Sequence, residues 1–217
     1  DRDRNTYTYS SRNVLQTNTL STLQLIGKHS SKSDRMMIGW GASYNLAKNN
    51  EPDRTQLLYE ASDKNKDDYR LEALNASDNH RFFSNMTEQE VNARVDMSYN
   101  FNYDSEQEKN RGMLSVGLQP RFRSRSFEWR QFNMDMKQYA DSLQTNDIVV
   151  DQLNPDEFLG DEEYSLGLYK YEEARDGSRT HLANQNVLAA YVMLDYALTD
   201  NLIVVAGARI EKTQQAI

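Results

Sequence analysis

The chain has 217 residues, with 25 basic and 33 acidic side chains, a formal charge of -8 and no cysteine. The missing thiols exclude a disulfide framework, a thiolate metal site and a cysteine nucleophile, and the acidic balance argues against a nucleic-acid binder. Leu, Ile, Val and Phe make up only about 20% of the residues, near the level where charged chains border on disorder, and the longest apolar runs (187–194 and 202–208) are far short of a spanning helix.

The apolar residues are few but ordered. Over 18–28, Leu23, Leu25 and the surrounding threonines predict a strand whose facing stays open, because Leu20 and Ile26 fall on the other parity. In 36–46, Ile38, Trp40, Ala42 and Tyr44 alternate with Gly39, Gly41, Ser43 and Asn45. In 89–101 the pattern is strict: Val91, Ala93, Val95, Met97, Tyr99 and Phe101 are apolar or aromatic, and every residue between them is polar. That is a strand with one dry and one wet face, since a helix would scatter these residues around its circumference. Over 113–124, Leu114, Val116, Leu118, Pro120 and Phe122 share a face; over 187–198, Ala190, Val192, Leu194, Tyr196 and Leu198 do; over 202–212, Leu202, Val204, Ala206, Ala208 and Ile210 do.

Six strands of about 10 to 13 residues exceed the usual 5–6 of soluble sheets and match what a tilted strand needs to cross a hydrocarbon layer. Their connections alternate between short and long. Residues 30–34 and 199–201 are tight turns and 102–112 is short, whereas 47–88 and 125–186 form loops of about 40 and 60 residues. Short turns on one side and long loops on the other are the layout of an outer-membrane barrel. A three-residue turn centred on Asp200 would pair Leu198 with Leu202, Tyr196 with Val204 and Leu194 with Ala206. Tyr99, Phe101 and Tyr196 near one set of strand ends, and Tyr44 and Phe122 near the other, fit interfacial girdles and equally fit simple strand propensity.

Ala189-Ala190-Tyr191-Val192-Met193, followed by Asp195 to Leu202 and then by Val205-Ala206-Gly207-Ala208-Arg209-Ile210-Glu211-Lys212-Thr213, resembles the TonB-dependent outer-membrane receptors, in the form found in the Bacteroides group. Glu51-Pro52-Asp53-Arg54 and the Arg- and Phe-rich run after 113–124 look like outer loops of the same family. The resemblance implies an all-β, antiparallel, up-and-down transmembrane barrel segment: about six strands of a 22-stranded barrel with two long extracellular loops. Residues 1–217 would then be part of one barrel domain, with the plug and the remaining strands lying elsewhere. It further implies a bacterial outer-membrane location and a transporter importing a scarce or large nutrient of siderophore, cobalamin or glycan type. The implied partners are membrane lipid, the rest of the barrel and its plug, TonB, and a surface lipoprotein in some members. No enzymatic role is expected. A soluble β-rich extracellular binding module, a sandwich with its dry faces packed together, is the first alternative; an outer-membrane enzyme barrel of lipase or protease kind is the second, and it needs a nucleophile–base pair on adjacent strands that the sequence does not show.

Candidate contact residues follow from the strands and loops. Arg121, Arg123 and Arg125 share the wet face of one strand, a basic ladder suited to an anionic ligand or to the plug. If Phe101 pairs with Leu114, Arg121 lies opposite Arg94, Arg123 opposite Asn92 and Arg125 opposite Glu90, so the bland reading is a partly ion-paired wall. In the second loop Tyr164 and Tyr169, with Tyr139 and Tyr171, would line a ligand vestibule or pack on one another. Asp63 to Asp68 begins with calcium-loop spacing but has Asp68 where Gly is needed and Leu74 where a bidentate Glu is needed. No EF-hand and no other metal site or cofactor are expected, with a loose Ca²⁺ site in that loop as the one alternative. His29, His80 and His181 show no ligand spacing and are read as solvated; Asn75-Ala76-Ser77 and Asn85-Met86-Thr87 are read as chance sequons. No nucleophile elbow, phosphate loop or HExxH motif is present.

Overall fold

Each of the six alternating segments lies inside a long strand of a nine-stranded sheet. The computed structural model describes residues 7–33, 35–61, 70–71, 75–104, 109–136, 148–149, 153–157, 159–175 and 179–217. In chain order the strands are β1 (Tyr7–Ser30), β2 (Met36–Ala61), β3 (Arg70–Leu71), β4 (His80–Asp104), β5 (Lys109–Asp135), β6 (Ile148–Val149), β7 (Lys170–Glu173), β8 (Thr180–Thr199) and β9 (Leu202–Ala216). A 3-10 turn (Pro155–Glu157) and one five-residue helix, α1 (Asp161–Ser165), precede β7. No helix among the described residues is long and apolar enough to cross a membrane.

The sheet runs β6-β3-β2-β4-β5-β8-β9, with β1 on β2 and β7 on β5, and among the described residues it is not closed. Each of the six long strands pairs with its neighbours in sequence, so the all-β meander expected from the alternation is present. The strands are longer than the alternation indicated, at 15 to 27 residues. Glu51 to Arg54 and the Arg- and Phe-rich run are therefore strand residues of β2 and β5, and the expected long loops shrink to 62–79 and 136–179. The reason is physical. Past the alternating stretch both faces of the strand carry polar, aromatic or arginine residues, so hydrophobic period falls silent while the backbone ladder continues.

The chain divides into two compact units. Unit 2 holds residues 18–48, 86–127 and 181–217. Here the apolar and polar faces are inverted relative to a soluble sheet. Leu118, Phe122 and Leu188 are 55%, 53% and 56% exposed, whereas Ser115, on the other face of β5, is 4% exposed. Val91, Val95, Met97, Tyr99, Val192, Leu194 and Ile210 are exposed as well.

The β8–β9 ladder pairs Tyr196 with Val204 and Leu194 with Ala206, as expected, but Thr199 pairs with Leu202 and a bulge falls at Leu198. The turn is thus tighter than three residues, and the bulge absorbs the extra position. The β4–β5 pairing departs from expectation by two residues. Ser98 Oγ and Ser115 Oγ are 2.9 Å apart, a contact that side chains this short make only when directly opposite. Two glycines on β5 let aromatic rings cross it. A Cβ at Gly112 would collide with the Phe101 ring, which stacks on Tyr196 at 6.1 Å between centroids; a Cβ at Gly117 would collide with the Tyr191 ring, whose hydroxyl donates to Asp96 Oδ1 at 2.7 Å.

Unit 1 holds residues 1–17, 49–85 and 128–180. Its core is Leu57 and Tyr59 of β2, Leu71 of β3, Met134 of β5, Met136 and Tyr169, with Leu159 and Tyr171 packed against them. Full burial of each large side chain contributes about 1.5–3 kcal/mol. Asn79, fully buried, ties the strands beside it: its Oδ1 accepts from Leu58 N at 2.7 Å and its backbone oxygen from Met134 N at 2.8 Å. Backbone donors on β2 and β5 are satisfied in this way.

Candidate functional site

Alternation along β5 places Arg121, Arg123 and Arg125 on the polar face of unit 2, with Phe122 on the other. The two-residue offset from the expected pairing decides their partners. Arg123 donates from Nε to Glu90 Oε2 at 2.8 Å and lies 3.6 Å from Glu88 Oε1. Arg125 donates from Nε to Glu88 Oε2 at 2.7 Å, its Nη2 lying on the same oxygen. Two rungs of the ladder are therefore ion pairs, each exposed enough to contribute only about 0–1 kcal/mol. Arg121 faces a cavity of about 500 Å³ on the same polar face, to which all six long strands contribute. Arg94, Arg209, Glu90, Glu211, Asn92 and Gln119 line it too.

The loop tyrosines lie in unit 1. Tyr164 sits in α1 and is exposed; Tyr169 is buried, its ring 5.6 Å from Tyr164 and 5.8 Å from Tyr171. The Tyr169 hydroxyl donates to the carbonyl oxygens of Leu159, at 2.9 Å, and Gly160, at 3.2 Å, which ties the segment before α1 to the core. Burial raises its phenol pKa, and Asp161 and Glu163 raise it further. Tyr139 and the Asp63 to Asp68 run lie outside the described residues. Among the described residues no group of three or more His, Asp or Glu is placed to hold a metal ion.

The histidines are not all solvated. His29 Nε2 accepts from Trp40 Nε1 at 3.2 Å, His181 stacks on Phe127 at 6.3 Å, and His80 is 8% exposed. Asn75-Ala76-Ser77 is a turn in which Asn75 Oδ1 accepts from Ser77 Oγ at 2.8 Å, and the Ser77 carbonyl oxygen accepts from His80 Nδ1 at 2.9 Å. That bond puts the remaining lone pair on the buried Nε2. Burial holds the His80 pKa below its usual 6.5; the Ser77 carbonyl opposes this, Arg54 and Arg12 reinforce it, and Asp78 opposes it. An unfolded chain takes up this proton near pH 6.5 and the folded chain only lower, so His80 costs no stability above that pH and progressively more below it. The urea midpoint of unit 1, followed by Trp129 fluorescence in a Trp40→Phe background, is expected to fall between about pH 7.5 and about pH 5.5. His80→Gln should reduce that drop.

Sequence reasoning missed an arginine–aromatic array in unit 1. The Arg54 guanidinium lies 4.1 Å from the Phe82 centroid, and Phe82 stacks on Trp129 at 5.9 Å. Arg130 lies 4.9 Å from the Phe132 centroid, and Phe132 meets Phe83 edge-on at 5.8 Å. Arg81-Phe82-Phe83 and Glu128-Trp129-Arg130 were the available signal. A second cavity of about 310 Å³, lined by Pro52, Phe83, Ser84, Glu128, Trp129 and Arg130 among others, lies beside them.

No protein-family model matches the chain, and no curated protein matches it.

Proposed function

We propose that the chain is a stretch of outer-membrane β-barrel wall belonging to a TonB-dependent receptor, which imports a scarce or large nutrient. The observation that carries this reading is the inverted sheet of unit 2, with large apolar side chains of β4, β5 and β8 exposed on one face and Ser115, Val187 and Ala189 covered on the other. Water disfavours a contiguous apolar face of this kind, and a hydrocarbon layer favours it. The sequential meander of long strands supports the same reading, as does the pattern running from Ala189 to Thr213. A sandwich would cover the dry faces of β4, β5 and β8, and among the described residues those faces stay open.

In this reading the edges at β1 and β9 pair with the strands that complete the barrel, because an open ladder edge in lipid leaves donors and acceptors unsatisfied. Lipid covers the apolar face, and the polar face looks toward a plug and the transported ligand. TonB supplies the energy, a surface lipoprotein is a further partner, and the chain performs no catalysis. Fractionation of cells expressing the full-length gene product tests the proposal. A heat-modifiable band in the outer-membrane fraction, extracted only by detergent, is expected; a soluble periplasmic or secreted product overturns it.

A further inference from the structure

The cavity on the polar face of unit 2 is lined by three arginines, Arg94, Arg121 and Arg209, and by two carboxylates, Glu90 and Glu211. Arg209 is spoken for: its Nη2 donates to Glu211 Oε2 at 2.9 Å and its Nη1 to Gln119 Oε1 at 3.4 Å. Glu90 has both oxygens engaged, Oε1 by Asn92 Nδ2 at 2.7 Å and Oε2 by Arg123 at 2.8 Å. Arg94 lies 3.9 Å from Asp96 Oδ2. Counting the two outside partners, Arg123 for Glu90 and Asp96 for Arg94, leaves the cavity with the same single positive surplus. That surplus is Arg121. It is half-buried, and among the described residues it makes no ion pair and no hydrogen bond.

Its guanidinium feels Glu90 through space, but that carboxylate's oxygens are already engaged by Asn92 and Arg123, so among the described residues the half-buried group gives up hydration without gaining a direct partner. Its planar fork matches a carboxylate through two parallel hydrogen bonds. We propose that this cavity binds one singly charged carboxylate, gripped by Arg121 and held in the positive field of Arg94 and Arg209. Gln119, with its carbonyl oxygen on Arg209, keeps its amide nitrogen as a further donor. Glu90 and Glu211 set the valence, because a dianion would bring a second negative charge to face them. An uncharged guest would leave Arg121 unanswered. The carboxylate comes either from another part of the same protein or from a free ligand. The inference stands on the cavity alone and does not require the outer-membrane reading.

The test is the melting temperature of the full-length protein and of Arg121→Gln at constant ionic strength in chloride, formate and sulfate. If the carboxylate belongs to a free ligand, formate raises the wild-type value saturably by about 2–4 °C, sulfate does not, and Arg121→Gln shows no rise. If it belongs to the protein, formate changes nothing and Arg121→Gln melts about 2–4 °C lower, by a margin that shrinks as pH falls through the carboxylate range and the stranded group is protonated. Three results overturn the proposal: formate inert with Arg121→Gln unchanged, sulfate or the variant responding like formate with wild type, or a deficit that does not depend on pH. Melting is measured the same way whichever fraction the protein occupies, so failure here leaves the membrane reading untouched, and the reverse also holds.

Discussion

Leu118→Arg is expected to cost about 2–4 kcal/mol in a bilayer and to deplete the full-length protein from the outer-membrane fraction. Leu118 lies in the middle of the apolar face of β5, 55% exposed, with Val116 and Phe122 on the same face. On a water-facing surface a substitution at such a position normally stays within about 0.5 kcal/mol of neutral, since the arginine would be solvated and no packing lost. In hydrocarbon the guanidinium has no water and no partner. One substitution therefore gives opposite answers in the two environments. Urea unfolding from lipid vesicles reads the free energy, and fractionation reads the assembly. A variant that folds and fractionates like wild type removes lipid from the apolar face.

Leu71→Ala is expected to cost about 2–5 kcal/mol, confined to unit 1. Leu71 is 1% exposed, and it occupies a strand of only two residues that pairs with Tyr59 on one side and Ile148 on the other. So short a strand has little ladder of its own. The Leu71 side chain, packed with Leu57, Tyr59, Met134, Met136 and Tyr169, is what keeps it docked. Truncation leaves a cavity that the surrounding strands fill only in part. Hydrogen exchange followed by mass spectrometry should show faster exchange in peptides covering 49–61 and 128–136, with 187–212 unchanged. Uniform acceleration across the chain would mean that the two units unfold as one.

The wet and dry faces of the long strands could be read from sequence because alternation over 89–101 has no helical competitor. The ends of the strands could not. Leu57, Tyr59 and Ala61 alternate, as do Phe132, Met134 and Met136, and both sets are buried or half-buried in unit 1. Each is only three apolar positions long, and Leu58 interrupts the first, so neither rises above ordinary loop composition. The arginine ladder was visible as a ladder, but its chemistry was not. Parity cannot distinguish registers that differ by two residues. The expected pairing set Arg121 against Arg94 and Arg125 against Glu90. In the structure Arg123 takes Glu90, Arg125 takes Glu88, and Arg121 alone is left facing the cavity. That Arg121 makes no ion pair among the described residues is a consequence of register, which no count of charges along the chain contains. The core role of Tyr169 was equally hidden, because it depends on where Leu159 and Gly160 come to rest.

Gly112 and Gly117 are an odd number of positions apart, so the rings that cross them do so on opposite sides of β5. Sliding β5 by two residues against its neighbours would keep each of its side chains on the face it now occupies. Hydrophobicity would not resist the error. The rings would: Tyr191 would come to rest on Ser115 or Gln119, where a side chain fills the place it now occupies, and its hydroxyl would lose Asp96. The two glycines thus act as detents that stop a long, slippery strand at one address, and that address decides which arginines hold a carboxylate directly.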